Sequence, residues 1–358
     1  MNVGLLIYGS LETLSGGYLY DRELTAHLAR QGDTVQVVSQ PWRNYARHLG
    51  DNLSPALLER LKNLEVDVLL QDELNHPSLF WTNRRLRGRL AYPTVAIVHH
   101  LRSSEQRPAW QNRLYAWIER AYLRSVDGFV FNSHTTQAAV QALAGAGRPA
   151  VVAYPAADHL DPHIEDDEIV RRARRPGPVS LLFVGNLIPR KGLHTLLDAL
   201  ARLPKNAFRL DVAGNPGVDP AYTAAIQRRI AALGLGADVC LHGAVAGDAL
   251  AALYRRAQVL ALPSSYEGFG IVYLEAMGFG LPCIATTAGA AGEVIAGGET
   301  GWLVPPEDAS ALAERLQRLA DDPGLLERMS LAARQRYQAH PTWEDTGEKV
   351  RDFLRTLV

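Results

Sequence analysis

The fold is decided by the stretch VLALPSSYEGFGIVYLEAMGFGLPCIAT, which runs from Val259 to Thr286. It begins with an apolar strand, continues through a loop rich in glycine and serine, and predicts a helix over Ile271–Gly278 before a second short strand, Cys283–Thr286. Apolar runs that alternate with helices are typical of buried parallel strands joined by crossover helices. The stretch therefore predicts a β-α-β unit of an open α/β sheet.

The same alternation extends over the whole chain with one interruption. Strand-like runs recur from Val3–Tyr8 to Val151–Tyr154, and the rhythm begins again at Val179–Val184. Between them, residues 156–178 are acidic and then basic, and they end in Pro-Gly-Pro. Charged segments bounded by proline and glycine are typical of linkers. We expect two doubly wound parallel-sheet domains, 1–155 and 179–342, joined by a linker over 156–178.

Composition excludes several classes of protein. The 358 residues include 37 Lys and Arg against 38 Asp and Glu, a net charge of -1 that argues against a general nucleic-acid binder. The two cysteines, Cys240 and Cys283, fit neither a disulfide framework nor a zinc site, which favours a reducing compartment. The first apolar run is short and lacks early basic residues, and no long uncharged apolar run follows. We therefore expect a cytoplasmic protein.

The loop and helix of the deciding stretch carry the strongest chemical signal. Glu267 follows a strand, and Gly268 and Gly270 would allow the backbone to approach a ligand closely. The free N–H groups at the start of the next helix favour a diphosphate. Glu275 lies further along that helix, and a carboxylate can accept from both hydroxyls of a sugar or ribose diol. The alternative is a glycine-rich turn followed by a surface glutamate.

Two cations follow the strand that ends at Val184. Arg190 and Lys191 come after the carboxyl end of a strand in a doubly wound sheet, which is where ligands bind. Positive side chains there would neutralise a departing diphosphate. The alternative is a solvated basic loop.

These motifs resemble glycosyltransferase family 4. The spacing of Glu267 and Glu275 is similar to the family's E-x7-E signature, and Phe183–Gly192, Gly289–Val294 and Gly301–Pro306 match further family motifs in order. The resemblance implies a GT-B fold, with two Rossmann-like domains facing a central cleft. It also implies a hexosyltransferase-type enzyme that moves sugar from a nucleoside-diphosphate sugar to a glycan, lipid-linked or small-molecule acceptor. Retention of anomeric configuration follows from the same resemblance. Activity without a metal ion or other cofactor is expected because Arg190, Lys191 and the helix N–H groups can carry the diphosphate charge.

The resemblance also assigns residues to two roles. Catalytic roles fall on four residues: His99, Arg190, Lys191 and Glu267. Donor-binding roles fall on Gly16, Gly17, Val245, Glu267, Gly268, Phe269, Gly270, Ile271, Val272 and Glu275. The chain departs from the family pattern twice, with Asn186 where many relatives have arginine and His100 where an acid often follows the histidine.

The first half of the chain leaves more alternatives open. Gly16 and Gly17 can form a plain tight turn before a helix rather than border a ligand, and His99 can be a structural histidine. Ser133 fits a helix N-cap as well as a donor contact. The basic run from Arg84 to Arg89 can contact an anionic membrane surface or an acidic acceptor, or form a solvated helix face.

Two further expectations complete the sequence-based interpretation. Residues 343–358 carry an apolar stripe at helical spacing on Val350, Phe353, Leu354 and Leu357. By resemblance to the family's last helix, this segment is expected to cross back and pack on the first domain. The functional alternatives are an epimerase-like enzyme acting on sugar nucleotides and a non-catalytic protein that binds them.

Overall fold

The apolar runs of the sequence form two six-stranded sheets in the computed structural model, which describes Met1–Val358. The chain divides into two units, the first made of Met1–Pro155 with Pro341–Val358 and the second of Ala156–His340. Every strand pair in both sheets is parallel. The two-domain α/β architecture expected from the sequence is therefore confirmed.

The first unit has strand order β2-β1-β3-β4-β5-β6. Its strands are β1 (Asn2–Tyr8), β2 (Thr34–Gln40), β3 (Val68–Asp72), β4 (Thr94–Val98), β5 (Gly128–Phe131) and β6 (Ala150–Val152). Its helices are α1 (Gly16–Arg30), α2 (Tyr45–Asp51), α3 (Pro55–Lys62), α4 (His76–Leu79), α5 (Thr82–Leu86), α6 (Ala109–Leu123), α7 (His134–Ala144) and the C-terminal helix α16 (Trp343–Arg355).

The second unit has strand order β12-β11-β10-β7-β8-β9. Its strands are β7 (Val179–Val184), β8 (Phe208–Ala213), β9 (Val239–Gly243), β10 (Val259–Ala261), β11 (Cys283–Thr286) and β12 (Gly301–Val304). Its helices are α8 (Asp166–Ala173), α9 (Leu193–Leu200), α10 (Pro220–Ala232), α11 (Gly247–Arg256), α12 (Ile271–Gly278), α13 (Ala291–Val294), α14 (Ala309–Asp321) and α15 (Pro323–Gln338).

Helix starts follow local capping chemistry. Ser15 precedes α1 and its side chain accepts a hydrogen bond from the backbone N–H of Tyr18. Ser133 does the same for α7, where its hydroxyl accepts from the Thr136 N–H at 3.0 Å. The N-cap interpretation of Ser133 is thus confirmed.

The C-terminal helix α16 belongs to the first unit. Thr342 and Asp345 form a reciprocal capping box at its start. Trp343 is buried and packs edge-on against Tyr20 of α1, with ring centroids 5.7 Å apart. The Thr346 hydroxyl donates to the backbone carbonyl of Tyr154 at 2.6 Å. These contacts tie the end of the chain to the first helix and to the segment after β6.

The segment 156–178, expected to be a linker, is part of the second unit and contains α8. Its charged composition conceals an amphipathic helix, since Ile169 is fully buried. Arg172 is also buried, and its guanidinium donates to the carbonyls of Phe279 and Gly280 at 2.7 and 2.8 Å. Those hydrogen bonds satisfy the buried guanidinium of Arg172, which lies in the basic part of the segment.

No helix of the structure combines the length and the apolar composition that crossing a bilayer requires.

Candidate functional site

The candidate site lies where the second sheet reverses its strand order. Strands β7 and β10 are neighbours, and the chain moves from β7 towards β8 on one side and from β10 towards β11 on the other. The loops that leave such a pair diverge and open a crevice at the carboxyl ends of the strands. The loop after β7 supplies Arg190 and Lys191, and the loop after β10 supplies Glu267.

Lys191 and Glu267 form a buried ion pair in this crevice. The Lys191 Nζ donates to Glu267 Oε1 at 2.6 Å, and an Arg190 guanidinium nitrogen lies 3.6 Å from the same oxygen. Burial raises the pKa of Glu267, but the charges of Lys191 and Arg190 outweigh it and lower the pKa to about 2. Burial lowers the pKa of Lys191, and the charge of Glu267 opposes that shift. Glu267 is therefore a carboxylate at neutral pH.

Two glycines bring these loops together. Gly192 has a φ of +71°, and a Cβ there would lie 2.1 Å from the carbonyl oxygen of Pro263. Gly289 has a φ of +79°, and a Cβ there would lie 2.0 Å from the carbonyl oxygen of Glu267. The Glu267 carbonyl instead accepts from the Ala290 N–H at 2.9 Å. Side chains at either position would separate the loops, so both glycines are required for the ion pair.

The role of Gly289 was not assigned from the sequence. The available signal was its place in the Gly289–Val294 motif, which the structure locates directly after β11. A hydrogen bond to the backbone of the other loop also positions Arg190. Its guanidinium donates to the Tyr266 carbonyl at 2.7 Å.

Glu275 lies inside α12 and is buried with two partners that the sequence did not indicate. The Tyr254 hydroxyl donates to Glu275 Oε2 at 2.6 Å, and His159 Nε2 lies 3.3 Å from Oε1. The charge of Glu275 also acts on Lys191. No sequence pattern could find these partners, because Tyr254 lies on α11 and His159 on a short turn before α8.

Within the second unit, the other predicted donor residues lie around the same loop, with one exception. Phe269 and Ile271 are buried, Gly268 and Val272 are half-buried, and Gly270 immediately precedes α12. The exception is Val245, which follows the edge strand β9, two strands away from β7.

In the first unit, His99 follows β4 and contacts the start of α1. A Cβ added to Gly17 would lie 3.0 Å from His99 Cδ2, so glycine at this position makes room for the imidazole. His99 Nε2 lies 3.7 Å from Asp21 Oδ1, which is an ion-pair distance but too long for a hydrogen bond. The structure thus brings His99 and Gly17 together. Gly16, the first residue of α1, is exposed. His100 contacts Glu105, with 3.0 Å between Nε2 and Oε1.

His99 stands beside a cluster of buried acids. Asp21 and Asp72 are almost fully buried, and both oxygens of Asp21 and one of Asp72 lack a hydrogen-bond partner. Burial and the charge of Asp21 raise the pKa of Asp72 to about 7. Burial lowers the pKa of His99, but the neighbouring carboxylates reverse the shift and raise it. Glu73 joins the cluster, and burial raises its pKa well above the ordinary value.

Some of these side chains are close enough to share a cation. The ligand atoms of Asp21, Asp72 and His99 lie within 4.8 Å of one another. A second group at the same spacing, made of Glu73, His76 and Glu119, is buried beneath them. Shared protons neutralise such carboxyls as well as a metal would.

Two family models match the chain in sequence. The model described as "Glycosyltransferase Family 4" matches residues 15–160, and the model described as "Glycosyl transferases group 1" matches residues 165–336. The chain belongs to glycosyltransferase family 4. The resemblance inferred from its motifs is confirmed, and the second match contains the whole ion-pair crevice.

Curated relatives of this family 4 chain match between about half and two thirds of its length. A glycogen synthase from Mycobacterium tuberculosis (strain CDC 1551 / Oshkosh) is 36% identical over 176 residues, covering 48% of this chain and 42% of the relative. A D-inositol 3-phosphate glycosyltransferase from Rhodococcus erythropolis (strain PR4 / NBRC 100887) is 30% identical over 245 residues, covering 66% of this chain and 55% of the relative. The chain thus spans about half the length of these curated relatives.

Solved structures show the fold. Sucrose-phosphate synthase from Thermosynechococcus elongatus has a TM-score of 0.85 at 24% identity, covering 99% of this family 4 chain and 98% of that protein. Anabaena HepE, solved in complex with UDP-glucose, has a TM-score of 0.78 at 20% identity with full coverage of both chains. The predicted GT-B fold is confirmed by this likeness and by the two parallel sheets.

Proposed function

We propose that the chain transfers a sugar from a nucleoside-diphosphate sugar to an acceptor, with retention of anomeric configuration. The observation that carries the proposal is the Arg190, Lys191 and Glu267 cluster at the reversal point of the second sheet. It combines two cations with the start of α12, the arrangement that binds a diphosphate. The similarity to HepE, which binds UDP-glucose, supports the same class of donor.

The cations would act mainly on the leaving group. Charge on the departing diphosphate grows in the transition state, so Arg190 and Lys191 stabilise that state more than the bound donor. In the structure the Lys191 charge is held by Glu267. A diphosphate would become the second partner of the same ammonium, while Glu267 orients Lys191 and opposes the lowering of its pKa by burial.

Glu275 would bind hydroxyls of the donor. Tyr254 occupies one oxygen of its carboxylate and restricts its rotation, so the carboxylate is preorganised without the ligand. Its resulting hydrogen bonds to a diol would be equal in ground and transition states, which affects donor affinity more than turnover.

Roles in the first unit rest on the His99 environment. The carboxyls of Asp21 and Asp72 favour the protonated imidazole, which can donate a hydrogen bond to a sugar oxygen. The acceptor, the other predicted donor contacts and the cytoplasmic location stay predictions.

Metal independence is also part of the proposal, since side-chain cations can neutralise the diphosphate without Mg²⁺ or Mn²⁺. We expect unchanged turnover in excess EDTA. Loss of turnover that Mg²⁺ or Mn²⁺ restores would contradict this part of the proposal and leave sugar transfer itself intact.

The decisive experiment measures nucleoside diphosphate released from a panel of sugar nucleotides, beginning with UDP-glucose, with and without acceptors. Glycogen and D-inositol 3-phosphate are the first acceptors to test, because the curated relatives are named for them. We expect release that depends on one acceptor, and an α-linked product from an α-linked donor by proton NMR.

The same assay separates the alternatives. A new sugar nucleotide formed without acceptor would identify an epimerase-like enzyme. Tight donor binding by calorimetry with no release for any acceptor in the panel would identify a non-catalytic binding protein. An inverted product would contradict retention alone.

A further inference from the structure

Helix α6 of the first unit has two apolar faces, and only one of them is covered. Its inner face buries Ile118, Tyr122 and Leu123 in the core of the first unit. Its outer face carries Trp110, Leu114 and Trp117, which are 67%, 45% and 63% exposed. Residues three and four positions apart lie on one side of a helix, so these three side chains form a continuous stripe.

The exposed stripe extends onto the neighbouring segment between α4 and α5. The ring of Phe80 packs edge-on against Trp117 with centroids 6.0 Å apart, and the adjacent Trp81 is 47% exposed. Each tryptophan left in water forgoes the burial of a large apolar surface. We call Phe80, Trp81, Trp110, Leu114 and Trp117 the aromatic stripe.

The exposed charged side chains of α5 and α6 are all arginines. Arg113 and Arg120 are exposed on α6, and Arg84 and Arg85 are exposed on α5. The one acid of α6, Glu119, is fully buried and accepts a hydrogen bond from the backbone N–H of Arg102 at 2.6 Å. The solvent face of α6 therefore presents tryptophan and arginine without a compensating carboxylate of its own.

We propose that the aromatic stripe and its arginines dock the first unit on an anionic lipid bilayer. Tryptophan is favoured at the level of lipid headgroups, and arginine beside it meets lipid phosphates while its methylenes cover apolar surface. A helix lying in the membrane plane needs this pairing of a wide apolar face with flanking cations. A neutral glycan could stack on the tryptophans, but it has no anionic group to pair with the arginines. The charge of the surface therefore favours the bilayer.

The aromatic stripe changes the sequence-based interpretation of the basic run. All four arginines of the basic run are exposed: Arg84, Arg85, Arg87 and Arg89. Exposure alone is equally compatible with the alternative of a solvated helix face. The apolar part of the docking surface lies mainly on α6, outside the basic run. The inference does not depend on sugar transfer, and its test does not measure it.

The test is co-sedimentation of the full chain with vesicles of phosphatidylcholine alone or mixed with phosphatidylglycerol. We expect binding that requires phosphatidylglycerol, weakens as salt is added, and shifts tryptophan emission to shorter wavelength. The variant R113Q/R120Q should weaken binding about 30-fold, from two lost arginine contacts with the anionic surface. The variant W110S/W117S should abolish the emission shift.

Matched controls keep the same substitutions away from the aromatic stripe. Trp42→Ser removes another tryptophan of the first unit that is 62% exposed, and Arg228→Gln removes an exposed arginine of α10. Both should bind as the unaltered chain does. Circular dichroism should show that all variants fold, because every altered side chain is exposed.

Several results would overturn the inference. If phosphatidylglycerol does not increase co-sedimentation of the wild-type chain at low salt, the surface does not bind an anionic bilayer. Equal vesicle binding by W110S/W117S excludes the aromatic stripe. Retardation in a glycogen-containing gel, or a dimer seen by light scattering, that W110S/W117S abolishes while vesicle binding is absent would assign the stripe to a glycan or to a second copy of the chain.

Discussion

At the carboxyl edge of the second sheet, the buried carboxylate of Glu267 meets the ammonium of Lys191 at 2.6 Å. At the carboxyl edge of the first sheet, the buried carboxyls of Asp21 and Asp72 lie close to each other, with the imidazole of His99 beside them. Both clusters lie where the strand order of a sheet reverses, β7 beside β10 and β1 beside β3. At the same topological position, one sheet therefore holds a buried ion pair and the other a buried pair of carboxyls.

The difference lies in what neutralises each carboxyl. The ion pair lowers the pKa of Glu267 to about 2, so this carboxylate stays charged over the physiological pH range. Burial beside another acid raises the pKa of Asp72 to about 7, so the first cluster changes charge within that range. A site for a diphosphate needs fixed cations, whereas a cluster that holds His99 can exchange protons.

The largest expected effect follows from removing the cation of the second site. Lys191→Ala should lower turnover about 10²–10³-fold, as the loss of one preorganised electrostatic contact does elsewhere. Lys191→Arg should restore part of it, and Lys205→Ala, which alters an exposed lysine, should change nothing. Initial rates of nucleoside diphosphate release measure the effect. Unchanged turnover in a folded Lys191→Ala enzyme would remove Lys191 from the mechanism.

A smaller effect is expected at Glu275, whose proposed role is to bind donor hydroxyls rather than to stabilise a developing charge. Glu275→Gln should raise the donor KM about 10–100-fold with a minor change in kcat, because one charged hydrogen bond contributes about 1.5–3 kcal/mol. Tyr254→Phe is the matched variant, because it removes the hydroxyl that orients the Glu275 carboxylate but leaves that carboxylate in place. A collapse of kcat at constant KM would contradict the assignment.

The pH dependence of the unfolding free energy tests whether Asp72 in the first cluster changes charge near neutral pH, unlike Glu267 in the second site. Asp72 holds its proton more tightly in the folded than in the unfolded chain, where its pKa is near 3.8. Its contribution is therefore favourable below about pH 4 and is lost as pH rises towards 7. Asp72→Asn should reduce the loss of unfolding free energy between pH 5 and 8 by about 1–3 kcal/mol.

Urea unfolding followed by circular dichroism at both pH values measures this difference. Glu65→Gln, at an exposed acid of the same unit, should leave the pH dependence unchanged. The same slope in Asp72→Asn and in the unaltered chain would show that Asp72 ionises freely in the folded state.

An effect of similar size is expected at the contact that supports α1, the helix that carries Asp21. A Cβ at Gly347 of α16 would lie 2.3 Å from the Cγ of His27 on α1. Gly347→Ala should force the helices apart and cost about 1–3 kcal/mol of unfolding free energy. Gly50→Ala, at a helical glycine with open space, should be neutral or stabilising. Equal urea midpoints for the two variants would contradict this packing.

The sequence by itself determined the alternating parallel-sheet fold, the family, and the residue types of the Arg190, Lys191 and Glu267 cluster. Continuous apolar runs indicate buried strands, and the motifs consist of residues that lie close together in the chain. Both are local signals that need no knowledge of distant contacts. For the same reason Ser133 could be recognised as an N-cap, since capping involves only the next three residues.

Only the tertiary structure decided which distant residues complete these motifs. Tyr254 and His159 reach Glu275 from other elements, and Gly289 holds the Glu267 backbone across a strand pair. Burial was equally invisible, since the charged segment 156–178 docks through Ile169 and Arg172. The physical reason is that burial and long-range hydrogen bonds depend on how the elements pack, and composition alone does not encode which side of a helix that packing covers.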